Sequence, residues 1–247
     1  MSTPLTILTG ASRGLGLALA QALLSRGHRV LAISRRVPAL PPQPDGRLVH
    51  WAVDLAEPAP VAERLAAWLA AQDSQALASA TLINNAAVVT TPAPLSAQQG
   101  GELAQALRVG LEAPLLLTAA FLRATAGWPL PRRVLLISSG LGRRAMAGQA
   151  PYCAAKAGLD HLARAVALEE AARPGGARIV SLAPGVIDTD MQQQLRGADP
   201  ALFPERERFV ALQSDGLLDT PAGAAAKVLR LLERADFGSQ PVADVRD

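Results

Sequence analysis

Tyrosine occurs once in these 247 residues, lysine twice, cysteine once, and asparagine only as the pair Asn84 and Asn85. A lone cysteine, Cys153, excludes an intramolecular disulfide and a metal cluster of the cysteine type. His28, His50 and His161 do not stand at metal-ligand spacing, so no metal is expected. Aromatic residues make up only 3%, which leaves a core of Ala, Leu and Val. The net charge is +3, and the arginines are scattered rather than gathered in a basic block with interleaved aromatics. That pattern argues against a nucleic-acid partner and for a positive field that favours small anions. No uncharged apolar run reaches the roughly 18–20 residues that span a bilayer, so no membrane partner is expected. A strand pattern is under way by Leu5, too early for a secretion leader, and a cytoplasmic protein is the expectation.

Short aliphatic runs without polar alternation occur at Leu5–Thr9, Val30–Ile33, Leu48–Val53, Ala80–Asn84, Val134–Ile137 and Ile179–Leu182. Amphipathic segments at helical spacing lie at Leu15–Arg26, Val61–Gln72, Glu102–Ala124, Tyr152–Arg173 and Pro221–Arg234. The alternation predicts an α/β chain, a doubly wound parallel sheet with helices on both faces, as one domain over 1–247. Pro38, Pro41, Pro42 and Pro44 argue against a regular helix after the second strand. Thr90–Gly101 and Pro184–Gly216 read as irregular, the latter as a substrate loop.

Directly after the first strand comes Thr9-Gly-Ala-Ser-Arg-Gly-Leu-Gly16. A glycine-rich turn without a ligand would also carry such a triplet. Its place between a strand and a helix points to a dinucleotide, with Gly10 for the tight turn, Gly14 for phosphate approach and Gly16 for close packing. The spacing G-x-x-x-G-x-G differs from the commoner G-x-G-x-x-G. The second strand ends in Ser34-Arg35-Arg36, where an NAD site usually has an acid. Together with Arg13, Arg35 suits a 2′-phosphate, so NADP(H) is the expected cofactor.

The single tyrosine stands four residues before a lysine, in Tyr152-Cys-Ala-Ala-Lys156. One helical turn puts both on one face, where an ammonium can stabilise a phenolate and make the phenol a general acid. A buried tyrosine beside a snorkelling lysine would give the same spacing.

With Thr9–Gly16, Asp54-Leu55, Asn84-Asn-Ala-Ala87, Ile137-Ser-Ser139, Tyr152–Lys156 and Pro184-Gly185 in this order, the chain resembles the short-chain dehydrogenase/reductase family. The resemblance implies a Rossmann-type fold, a homodimer or homotetramer, and reduction of a small carbonyl substrate. It places Gly10, Ser12, Arg13, Gly14, Leu15, Gly16, Ser34 and Arg35 at the cofactor. Asp54 and Leu55 would meet the adenine, Asn84 and Ala86 would line the cofactor, and Pro184, Gly185, Ile187 and Thr189 would pass the nicotinamide. Tyr152 would protonate the carbonyl oxygen, Lys156 would bind the ribose and lower the tyrosine pKa, and Ser139 would hold the substrate oxygen.

Tyr152-Cys-Ala-Ala-Lys156, Ala167-Leu-Glu-Glu170 and Ala183–Gln192 resemble the sepiapterin reductase branch, itself similar to bacterial benzil reductases. The tail Phe237–Asp247 matches that branch and puts Asp244 where it would anchor a pterin ring; a solvated carboxylate is the plainer alternative. One departure is Gly110, where most members carry an asparagine that holds a relay water. The expected function is NADPH-dependent reduction of a ketone or vicinal dicarbonyl. The alternatives are a broad carbonyl or 3-oxoacyl reductase, or a nucleotide-binding regulatory protein.

Overall fold

Consecutive aliphatic side chains suit strands covered on both faces, because successive residues point to opposite sides. The computed structural model describes residues 2–41, 43 and 46–247. The described residues hold seven strands: β1 Thr3–Thr9, β2 Arg29–Ser34, β3 Leu48–Ala52, β4 Leu77–Asn84, β5 Arg132–Ile137, β6 Arg178–Ala183 and β7 Val242–Asp244. They form one sheet in the order β3-β2-β1-β4-β5-β6-β7, with every pairing parallel. The order reverses between β1 and β4, and at such a switch point the strand ends leave a crevice for ligands.

The helices are α1 Gly14–Ser25, α2 Pro58–Ala70, α3 Gly100–Leu107, α4 Ala113–Ala124, α5 Ala150–Ala171, α6 Asp190–Arg196, α7 Arg206–Ser214 and α8 Pro221–Glu233. Alternate strand residues sort cleanly between the two faces. Ile7, Ile33, Leu82, Leu136 and Ile179 pack with α2, α4 and α5, through residues such as Leu65, Phe121 and Leu159. Leu8, Ala32, Ile83, Leu135 and Val180 pack with α1 and α8, through residues such as Leu19 and Val228. The result is a doubly wound α/β sheet, as the alternation of strand and helix signals predicts.

The structure differs from the sequence expectations in three places. The segment Glu102–Ala124 is not one regular helix: Arg108–Glu112 forms a π-turn between α3 and α4. Pro114 has no N–H for the carbonyl four residues earlier, that of Gly110, and its ring would crowd that carbonyl; a wider turn relieves both problems. The combined run Gly100–Ala124 is long and apolar enough to match a bilayer, but half of its most apolar stretch is buried inside the fold. The stretch Pro184–Gly216 contains α6 and α7 rather than loop alone, because Leu195, Phe203 and Phe209 join Leu141 and Met146 in a third apolar cluster. β7 was not expected at all. Residues 35–41 form no helix, and Pro42 and Pro44 lie outside the described residues.

Candidate active site

The glycine loop folds as the spacing predicts. Gly10 has φ +71°, and a Cβ on Gly16 would stand 2.0 Å from the Gly10 carbonyl oxygen, so no larger residue fits where α1 crosses the strand. Asn85 reinforces the turn: its Nδ2 donates to the carbonyls of Thr9 (3.0 Å) and Gly10 (3.3 Å), and its backbone N–H to Thr9 Oγ1. No side chain caps the N-terminus of α1, and its first turn holds no acid. Its free N–H groups and positive dipole end therefore suit an anion.

This terminus opens on a cavity of about 740 Å³ along the strand ends. Of the expected cofactor residues, Gly10, Ser12, Arg13, Gly14, Leu15, Gly16, Ser34, Arg35, Asp54, Leu55, Ala86, Pro184, Gly185, Ile187 and Thr189 line it, together with Ser139, Tyr152 and Lys156. The uncapped helix, the glycine loop and two lining arginines fit a nucleotide with a phosphate at this end. Asn84 is an exception: it is buried away from the cavity, with Nδ2 donating to Thr118 Oγ1 at 3.2 Å. Of the two asparagines it is Asn85 that reaches the cavity. The Ser34 hydroxyl donates to the Arg36 carbonyl at 2.7 Å and lies 3.1 Å from His50 Nε2, so it is already engaged.

Asp244, expected to anchor a ring, is not among the residues that line the cavity. Arg246 grips both its oxygens, Nε to Oδ1 at 2.7 Å and Nη2 to Oδ2 at 2.5 Å. Arg143 approaches the same carboxylate at 3.8 Å. The Arg246 hydrogen bonds hold the Asp244 carboxyl below the usual carboxylate range. Beyond Arg143 sits the buried Asp160, whose carboxylate accepts from Arg143 Nε at 3.2 Å and from Ser181 Oγ at 2.7 Å. Opposite charges thus alternate from Asp160 on α5 to Arg246 at the cavity, joining the loop after β5 to the C-terminal strand.

Ser139 lies two residues beyond β5 in extended conformation, and its Oγ accepts from the Leu141 N–H at 3.2 Å. On α5, Lys156 Nζ lies 5.4 Å from the Tyr152 ring centre and donates to the Ile137 carbonyl at 2.6 Å. Burial pushes the Tyr152 phenol up to about 12, partly opposed by a hydrogen bond with Ser139. Burial also pulls the Lys156 ammonium down to about 8, partly opposed by Asp160. Burial, rather than the lysine, sets the direction of the tyrosine shift. Loss of hydration is the largest influence on the phenol, and the Lys156 ammonium is turned towards the Ile137 carbonyl.

Gly110 is buried in the π-turn, and a Cβ there would stand 3.2 Å from the Ala155 Cβ. Several lining residues have no sequence signal that marks them: Arg144, Gln192, Arg208 and Arg246.

Residues 5–200 match the short chain dehydrogenase family. The chain is 33% identical to the benzil reductase ((S)-benzoin forming) of Bacillus cereus, over 94% of each chain. It is 35% identical to the sepiapterin reductase of Mus musculus, covering 98% of this chain and 96% of that one. A crystal structure of a short-chain dehydrogenase/reductase from Burkholderia vietnamiensis is similar at 38% identity and a TM-score of 0.64, covering 98% of this chain and 97% of that one. The chain therefore belongs to the short-chain dehydrogenase family, a family of oxidoreductases that use nicotinamide cofactors.

Proposed function

We propose that this protein is an NADPH-dependent reductase of a ketone or vicinal dicarbonyl. The observation that carries the reading is the convergence of Ser139, Tyr152 and Lys156 on one cavity with the glycine loop. Gly14, Leu15 and Gly16 would hold a diphosphate at the start of α1, Arg35 and Arg13 a 2′-phosphate, and Lys156 the ribose beside the nicotinamide. When bound, the reduced nicotinamide supplies a hydride.

Ser139 is placed to donate to the carbonyl oxygen, and Tyr152 to give that oxygen its proton as charge develops there. A phenol near 12 is fully protonated at neutral pH and so ready to donate. The phenolate left behind needs a cation, and Lys156, one turn along α5, is the group that supplies it. Gly110 in place of an asparagine leaves the π-turn without a side chain to hold a relay water, an observation that favours a second reading as a nucleotide-binding regulator with weak chemistry.

Benzil reductase and sepiapterin reductase, both named for carbonyl substrates, support the dicarbonyl reading by similarity. A homodimer or homotetramer in the cytoplasm completes the proposal, with the exposed Leu107, Leu115 and Leu168 on α3, α4 and α5 as apolar contacts. The test is oxidation of NADPH with benzil, sepiapterin, a simple ketone and a 3-oxoacyl thioester. Turnover of benzil or sepiapterin is expected; turnover of the thioester alone would make it a 3-oxoacyl reductase, and none on any of the four would favour the regulator.

A further inference from the structure

A nucleotide phosphate accounts for Arg13 and Arg35, but three more arginines line the cavity: Arg144, Arg208 and Arg246. Their backbone positions put two of them near the reacting groups. Val245 N donates to the Ala183 carbonyl at 3.0 Å, so Arg246 follows directly at the end of β6 beside Pro184. Arg144 N donates to the Gly140 carbonyl at 3.1 Å, and its Nε lies 3.9 Å from where a Gly140 Cβ would stand, one residue from Ser139. Among the described residues Arg144 has no acidic partner, and the Nη1 group of Arg246 has no acceptor.

Arg208 stands 3.7 Å from Glu205 and Arg246 is paired with Asp244, so among the described residues Arg144 is the one of the three without a carboxylate, and the carboxylates that line the cavity are engaged elsewhere. Asp190 is taken by Arg13 at 2.6 Å and Asp188 by Arg196 at 3.7 Å, while Asp54 follows β3 at the glycine-loop end and accepts from the Ala56 N–H. Asp244 sits behind Arg246, where it steers the guanidinium without itself lining the cavity. A cleft with low-dielectric walls focuses such uncompensated charge, and a guanidinium fork matches a carboxylate.

Building on the carbonyl-reductase reading, we infer that the substrate carries a carboxylate beside the reacting carbonyl: a 2-oxo acid with an aryl or branched apolar side chain. Arg144 and Arg246 hold the carboxylate, and Leu141, Met146 and Phe209 receive the apolar part. The carbonyl carbon accepts a hydride from the reduced nicotinamide, the carbonyl π pair moves to oxygen, and that oxygen takes the Tyr152 proton. The product is a 2-hydroxy acid with its carboxylate unchanged.

Phenylglyoxylate and its methyl ester share the phenyl ketone and differ in charge, which makes them the probe pair. Arg144→Gln is expected to lower kcat/KM for the acid at least about tenfold, the size of one charge-assisted contact, and to change the ester by less than about threefold. Arg144→Lys should retain most of the activity on the acid. Raising ionic strength should weaken the acid and spare the ester. Calorimetric titration of phenylglyoxylate into the NADP⁺-loaded protein, unmutated and Arg144→Gln, reads the same contact without turnover. Equal effects of Arg144→Gln on acid and ester, or acid binding that ignores both Arg144→Gln and salt, would overturn the inference. If benzil and both probes go unreduced while the acid still binds through Arg144, the carbonyl-reductase reading falls and the carboxylate site stands.

Discussion

Arg13 Nη1 lies 2.6 Å from Asp190 Oδ2, so the glycine loop is tied to the first turn of α6. Both side chains are mostly exposed, 70% and 62%, and such a pair adds little to stability. It does engage a guanidinium that a 2′-phosphate would otherwise use. Asp190→Asn is therefore expected to tighten NADPH by about threefold and leave NADH unchanged, since a freed charge gains only a fraction of a full ionic contact here. Fluorescence titration with both nucleotides checks it. An equal gain for both would mean that the pair acts on the loop rather than on the phosphate.

Arg35 lines the same end of the cavity and, unlike Arg13, has no acidic partner among the described residues. NADPH is expected to exceed NADH at least about tenfold in kcat/KM, an advantage of about 1.4 kcal/mol that a single phosphate contact can supply. Arg35→Asp should erase or reverse it. Equal use of both cofactors by the unmutated protein would remove the 2′-phosphate site from Arg13 and Arg35.

Tyr152→Phe deletes the acidic proton and keeps the ring that packs beside Lys156. A loss of about 10²-fold or more in kcat is expected, with NADPH affinity within about twofold, because general acids contribute roughly 10²–10⁴-fold. A variant that keeps more than about a tenth of the rate would assign the proton to another donor.

The parts legible in the sequence are those fixed by local pattern. The glycine loop, the Tyr152 and Lys156 spacing and six of the strands follow from periodicity and turn chemistry. β7 was missed because it is three residues long and owes its existence to pairing with β6, through Ser181, Leu182 and Ala183. α6 and α7 were hidden by prolines, glycines and mixed charge; Phe203 and Phe209 secure that region by packing on Met146, far away in the chain. Arg144 and Arg246 resemble any other surface arginine until the fold brings the end of β6 beside the loop after β5. The upward shift of the Tyr152 phenol has the same origin, since burial depends on neighbours remote in sequence.

Lys156 gives the ligand-free protein a specific response to alkali. Its folded-state pKa, about 8, lies below the ordinary 10.5, so between those values the unfolded chain holds more protons and stability rises with pH. Tyr152 works in the opposite direction only between 10 and about 12, where the folded state keeps the extra proton and stability falls. Urea unfolding at pH 7.5 and 9.5 should show a gain of up to about 2 kcal/mol, the size set by a shift of this order. Lys156→Met should abolish the gain. A gain that survives in the variant would trace it to other groups.

Asp244 offers the sharpest contrast with a pterin anchor. Its carboxylate, 8% exposed, is held by Arg246 and faces Arg143, and it does not line the cavity. Asp244→Ala removes the charge that holds both arginines and frees Arg246 to swing. Arg143 keeps its bonds to Asp160 and to the Ala243 carbonyl, so the fold should survive with a loss of about 1–2 kcal/mol, or a melting temperature lower by about 4 °C. Activity on benzil and on sepiapterin should fall by the same factor, because the defect lies in the position of Arg246 rather than in a contact to the ring. A carboxylate that bound ring N–H groups would instead show a selective rise of KM for sepiapterin, by about the 1.5–3 kcal/mol of a hydrogen bond to a charged group, with benzil unaffected. The ratio of the two losses is thus the measurement that separates the roles, and a ratio near one places Asp244 behind Arg246 in function as it is in space.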